Sequence, residues 1–316
     1  MSKSRAHYWF IGPAVALMIL LLIMPIFVAA TLSMTDYSLG NSGFNWVGIE
    51  NYEKLFSRRS YQKMFSASLT YVLLVVPISV ALGLGSALLI SSLRIGGEMY
   101  KAVFFLPVMA TLLAMAIVWE FALNPIVGVV NDVLRSGCDK SLIYGLLSGS
   151  WLGYEPTTSW YGAACIKKFP LWLGDKQYAL GTIAFIGIWQ GFGFNMVLYL
   201  AGLTSVPREL YHAAHMDGAD SAWERFKLVT WPMLGPTNVF VITISSIRSF
   251  QVFDTVEALT GGGPSKSTYV MVYAMFEKGV KQNLLGIGSA ITIVFLAFVL
   301  ILTLVQVYFV NRKVHY

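Results

Sequence analysis

The sequence predicts an all-α membrane protein of about six transmembrane helices, with a cytoplasmic helical loop between the fourth and fifth. Three observations carry this. The chain of 316 residues is 56% hydrophobic and 12% charged, where a soluble domain carries about 25% charged residues. That leaves too little polar surface to solvate a globule of this size in water. Apolar stretches recur at bilayer-spanning length, roughly 20 residues each. The segments between them hold the turn residues and most of the charge.

The expected spans are 8–30, 68–92, 102–123, 180–203, 232–253 and 287–310 of one transmembrane domain covering 1–316. The first is too long for the apolar region of a signal peptide, about 7–15 residues, and reads as a retained anchor. The fifth is the weakest, interrupted by Asn238, Arg248 and Gln251. Prolines at 25, 77 and 107 are expected as kinks. Orientation follows from Lys and Arg near span ends: Lys3, Arg5, Arg94, Lys101, Arg208, Arg225, Lys227, Arg312 and Lys313 share one side. The positive-inside rule makes that side cytoplasmic, with both termini on it.

The formal net charge is +6. In such a chain the excess belongs to loops and headgroups, and no basic block interleaved with aromatics points to nucleic acid. Three segments fall outside: 33–66, polar and aromatic; 124–178, the longest; and 255–285, with a Gly261–Pro264 turn and a short apolar run, Tyr269–Phe276. That run is expected to pack on the outer surface or in the mouth of the spans. Both cysteines, Cys138 and Cys165, lie in the long segment. A periplasmic location permits a disulfide there, worth about 3 kcal/mol in the chain-entropy model. The other reading is two thiols that never meet.

Residues 205–220 carry most of the information. Pro207 suits a first helical turn, and Glu209 complements the positive helix end. Leu210, Ala213, Ala214 and Asp217 follow helical spacing, Gly218 ends the helix, and Asp220 or Ser221 caps the next one. That second helix runs through Trp223, Phe226 and Lys227 toward Trp231-Pro232. Small residues on the first helix let a partner's backbone approach closely.

This loop resembles the Glu-Ala-Ala…Gly loop of ABC-importer permeases. The similarity extends over most of the chain and points to the carbohydrate branch, the maltose and glycerol-phosphate type. Phe104-Phe105-Leu106-Pro107, Asn124-Pro125 with Gly128-Val129-Val130-Asn131, Trp189-Gln190-Gly191-Phe192 and Leu200-Ala201-Gly202-Leu203 occur in the branch's order. Phe250–Thr255 with Leu259–Pro264 is its most specific stretch. The resemblance implies a bacterial inner-membrane permease that imports a sugar or sugar derivative by alternating access. It implies a second homologous permease, an ATPase dimer that holds ATP and Mg, a periplasmic solute-binding protein and no cofactor in this chain. Glu209, His212, Ala213, Ala214, Asp217, Gly218 and Ala219 fall in the ATPase-docking loop. Gln190, Gly191, Phe194, Ser249 and Val252 fall on the substrate pathway.

The chain departs from the pattern in three places. His212 replaces the leading Glu of the loop. Gly218 to Pro232 is one residue longer than usual. Residues 136–169 look like an insertion. Ser249 and Val252 also stand where the maltose type has polar amides. Arg248 is read from its own chemistry: a cation in a span faces a partner, a cavity or an anionic solute, and that last option favours an acidic sugar derivative. Glu120 and Asp254 are expected to be wet at an interface. Gly261–Ser267 lacks the Gly-Lys of a phosphate loop. His212 and His215 share a helix face without a third ligand at metal-site spacing. A secondary transporter would show inverted repeats, and a membrane enzyme would need a nucleophile–base or carboxylate pair. Neither signal is present.

Overall fold

The computed structural model describes residues 6–41, 43–93, 95–138 and 170–313. These residues are helical apart from their connections, with one isolated β-bridge between Thr35 and Trp46. The Cys138–Cys165 pairing and the insertion at 136–169 fall largely outside the described residues.

Among the described residues five helices are long and apolar enough to cross a bilayer: Phe10–Leu32 (α1), Arg59–Ser92, Ala179–Thr204, Gly235–Leu259 and Leu285–Gln306. The remaining expected span, 102–123, is not one helix. Gly97–Met109 and Leu113–Ala122 meet at 98°, and Ala110 and Thr111 at the break are extended. Pro107 removes a donor from the ladder just before the break, so the helix is weakest there. The remaining labels follow chain order: α2 (Glu50–Ser57), α3 (Arg59–Ser92), α4 (Gly97–Met109), α5 (Leu112–Ala122), α6 (Val129–Cys138) and α7 (Ala179–Thr204). Next come α8 (Arg208–Met216), α9 (Ala222–Arg225), α10 (Gly235–Phe250), α11 (Asp254–Leu259), α12 (Met271–Phe276) and α13 (Leu285–Lys313). At 34 residues, α3 is about 51 Å long, well beyond a hydrocarbon core of about 30 Å. Its first turns, which carry Arg59 and Lys63, account for the excess.

Two π turns share a cause. Ile19–Ile23 precedes Pro25 and Phe226–Thr230 precedes Pro232. In each the closing bond spans five residues: the Met24 N–H donates to the Ile19 carbonyl, and the Trp231 N–H to the Phe226 carbonyl. The wider turn gives the following proline ring room against the carbonyls behind it.

The chain separates into two compact units. The first is Met1–Ser66 with Val270–Tyr316. Here the backbone leaving α1 is satisfied by side chains. Asn51 at the start of α2 donates through Nδ2 to the Ser33 and Thr35 carbonyls (2.9 and 2.8 Å), and the Ser33 and Tyr52 hydroxyls are 2.7 Å apart. The Leu39 N–H donates to the Asn283 carbonyl, and the Gly286 N–H to that of Tyr37. A side chain at 286 would strike the Thr35 carbonyl, so α13 needs glycine there. The Asp36 carboxylate is held below its ordinary range, first by the Asn45 backbone N–H and then by the Asn45 amide. The apolar run at 269–276 becomes α12, with Met271, Tyr273 and Ala274 buried and the helix packed along α13. It is part of this unit's interior.

The second unit is Ala67–Tyr269. Its core joins Ala87 and Ile90 of α3, Met196 and Tyr199 of α7, Leu234, and Val241 of α10. α7 lies at the centre because small residues let neighbours reach its backbone or it reach theirs. A Cβ at Gly193 would collide with the Phe104 carbonyl, one at Gly187 with the Tyr71 hydroxyl, and one at Gly83 of α3 with Asn195. Such contacts replace the hydrophobic drive that lipid withholds from helix association.

Gly193→Val is expected to destabilise this unit by about 1–3 kcal/mol, seen as a lower melting temperature in detergent. Gly181→Ala, at a site with nothing within 4 Å of an added Cβ, should leave that temperature unchanged or slightly raised.

Candidate functional site

The second unit holds a half-open cavity of about 490 Å³ walled by α3, α4, α7, α10 and the start of α11. Its volume lies in the range of small-molecule sites, roughly 300–1,000 Å³. Every residue expected on the pathway lines it: Gln190, Gly191 and Phe194 from α7, Arg248 and Ser249 from α10, and Val252 just after. Gly191 has nothing within 4 Å of where a Cβ would stand. It keeps the wall open where a larger residue would fill the cavity.

The geometry of the wall is set by Asn195, which sequence reasoning passed over. Its side chain is 3% exposed. Asn195 Oδ1 accepts from the Ser245 hydroxyl at 2.9 Å, and Nδ2 donates to the Ser79 hydroxyl at 3.4 Å. One amide thus ties α7 to both α10 and α3, and an amide in hydrocarbon requires such partners. The signal was available: Asn195 is one turn after Gly191, and Ser245 one turn before Ser249, so both share the faces already singled out.

Arg248 lies in the last turn of α10, where a cation complements the negative helix end. Its guanidinium carbon stands 3.9 Å from the centroid of the Phe194 ring, a cation–π contact that fixes the plane of the group. No ion pair to Arg248 occurs among the described residues. Asp254 lines the same cavity, exposed, in the first turn of α11. Glu120 is exposed near the end of α5.

The loop between α7 and α10 folds as a small unit with its own core. Pro207 is the residue before α8 and is extended, so the helix starts one position later than its proline suggested. Gly218 has φ +88°. The Ala219 N–H reaches back to the Ala214 carbonyl at 2.9 Å and the Gly218 N–H to that of His215 at 3.1 Å, the paired bonds of a Schellman ending. Ser221, not Asp220, caps α9. Its hydroxyl accepts from the Glu224 N–H while the Glu224 carboxylate accepts from the Ser221 N–H. Asp220 instead sits 3.0 Å from His215 Nδ1. Val206, Ala214, Ala219 and Val229 are buried together with Tyr211 against them, and the Tyr211 and Thr230 hydroxyls are 3.0 Å apart.

This divides the residues expected to dock. Glu209, His212, Ala213, Asp217 and Gly218 are exposed, whereas Ala214 and Ala219 are interior. Their small size serves the loop's own packing. The exposed surface includes two residues the sequence reading did not assign to docking, Met216 at 86% and Trp223 at 70% exposure.

Residues 82–315 match the family of binding-protein-dependent transport system inner membrane components. The chain is 27% identical over 304 residues to the probable ABC transporter permease protein YurN of Bacillus subtilis (strain 168), covering 96% of this chain and 94% of that one. It is 26% identical to the sn-glycerol-3-phosphate transport system permease protein UgpA of Agrobacterium fabrum (strain C58 / ATCC 33970), covering 98% and 96%. Its fold is shared with a bacterial ABC transporter involved in the import of the acidic polysaccharide alginate. That match has a TM-score of 0.76 at 20% identity, covering 98% of this chain and 96% of that one. A bacterial alginate ABC transporter in complex with alginate pentasaccharide-bound periplasmic protein gives a TM-score of 0.73 at 20% identity, covering 97% of this chain and 93% of that one.

Two outcomes test the loop. Gly218→Ala forces a Cβ into a left-handed conformation, costing about 1–2 kcal/mol, and should raise amide hydrogen exchange across 208–219. The Glu224 carboxyl is held below its ordinary range, mainly by the Ser221 backbone N–H. Its contribution is therefore present above the ordinary carboxylate pKa and is lost as pH falls through the lowered value. Protection at 221–225, measured as exchange relative to the intrinsic rate at each pH, should fall in acid, and Glu224→Gln should abolish that fall.

Proposed function

The chain belongs to the family of binding-protein-dependent transport system inner membrane components, a transport component and not an enzyme, and on that premise we propose that it carries a sugar or sugar derivative inward by alternating access. The observation that carries the cargo class is the cavity. It joins an aromatic ring, Phe194, to the Gln190 amide and the Ser249 hydroxyl, on a wall that Asn195 and Ser245 hold in place. Sugars are held by that combination, a ring against their apolar faces and fixed polar groups for their hydroxyls. The relatives are named for sn-glycerol 3-phosphate transport and alginate import, which supports a polyhydroxylated cargo.

In this reading a second homologous permease completes the pathway and a periplasmic solute-binding protein delivers the cargo. An ATPase dimer, which holds ATP and Mg, docks on α8. Both termini and the loop at 205–231 face the cytoplasm, the side their Lys and Arg favour. The docking surface is the exposed strip Glu209, His212, Ala213 and Asp217, with Met216 beside it. His212, in place of the family's Glu, offers no permanent anion to the ATPase, so shape carries more of this contact.

Purification from the native host in mild detergent is expected to bring down a second permease and an ATPase. A well-folded chain that came alone would overturn the docking reading. Ala213→Arg places a long cation on the strip without touching the loop's core. It should strip the ATPase from the complex and lower uptake about tenfold or more, on the scale of charge placed in a packed interface, while the second permease stays bound.

A further inference from the structure

We infer that Arg248 selects cargo by charge: the cavity takes a sugar-sized solute carrying an anionic oxygen group, such as a carboxylate, sulfate or phosphate. This rests on the importer reading and narrows it. A guanidinium has five N–H donors and no acceptor. In this site one face is against the Phe194 ring, and no carboxylate among the described residues pairs with it. The ring contact holds the plane and leaves the donor edges to the cavity. An oxyanion takes two of those donors at once in a fork that matches its own geometry, which a neutral hydroxyl cannot do.

A role confined to packing does not account for the residue. The helix-end position would be served by any cation or by an amide reaching the last carbonyls, and a charged group in a span is costly unless it works. Asp254 is the competing charge in the same cavity. It does not pair with Arg248, and it sits in the first turn of α11, where the helix end offsets part of its charge. The charge beside Phe194 is that of the guanidinium, 3.9 Å from the ring centroid. Gln190 and Ser249 remain to bond the hydroxyls of the same solute.

The test uses the intact transporter with its binding protein, reconstituted in vesicles. Three probes are compared: a neutral disaccharide, a uronate disaccharide of the same size, and a sugar phosphate. The wild type should take up at least one anionic probe at least about tenfold better than the neutral one. Arg248→Ala should weaken the half-saturating concentration for that probe by roughly 10–100-fold, the scale of a lost charged hydrogen bond. Arg248→Lys, which keeps the charge but not the fork, should recover part of the loss. Preference for the neutral probe would overturn the inference and leave the importer reading standing. So would an Arg248→Ala transporter with unchanged affinity for the anion. Where Arg248→Ala fails to assemble with its ATPase, Arg248→Lys decides, and an unshifted half-saturating concentration there overturns the inference. Uptake of none of the three probes overturns the sugar-importer reading itself.

Discussion

The second unit depends on how closely other backbones and polar groups approach α7. In water, burial of apolar area would hold these helices together. In lipid the tails are as apolar as leucine, so contact must come from packing and from hydrogen bonds that have nowhere else to go. Gly193 admits the Phe104 carbonyl and Gly187 admits the Tyr71 hydroxyl. Asn195, one turn beyond Gly191, bonds Ser245 on one neighbour and Ser79 on the other. The same positions that bring α3, α4 and α10 in also fix the cavity wall. Gln190, Gly191 and Phe194 take their directions from a helix that its glycines and Asn195 have already located.

The loop that follows α7 is held on different terms. Its surface mixes polar residues with the exposed Met216 and Trp223, and it carries a buried cluster of four residues, two of them alanine. Its rigidity comes from backbone chemistry: a left-handed Gly218 that closes α8, a reciprocal cap that opens α9, and a Tyr211–Thr230 contact between them. A surface held this way presents a fixed shape to a partner. That explains why two of the three alanines that look like docking residues in one dimension, Ala214 and Ala219, are interior in three.

What the sequence showed and what it hid divide along physical lines. Span length and composition are local sums, so five spans were legible, and Gly218 announced its turn because left-handed backbone favours glycine. The break at Ala110–Thr111 was hidden. Pro107 reads equally as a kink or an end, and only the packing of α4 on α7 and of α5 on α11 decides. The π turns were hidden for a similar reason, since a proline states that the ladder is disturbed but not how the chain relieves it. Asn195 was passed over because its importance lies in partners 50 and 116 residues away. Arg248 stood out by type alone, yet its ring partner could not be foreseen, because Phe194 and Arg248 meet only through the α7–α10 contact.

That contact also relates the loop to the cavity. α7 enters the loop and α10 leaves it, and Leu234, Met196, Tyr199 and Val241 pack them together close to it. The polar wall of the cavity lies further along the same two helices, in Gln190, Phe194 and Asn195 on one and Ser245, Arg248 and Ser249 on the other. α8 is therefore joined to a clamped helix pair whose far portions line the cavity. The π turn at Phe226–Thr230 links α8 to α10. Its Val229 packs with Ala214 and its Thr230 hydroxyl meets that of Tyr211, so α8 is tied to the chain that enters α10. A packed pair moving as a body shifts Arg248 and Phe194 together, so the cation keeps its ring contact while the wall opposite them changes.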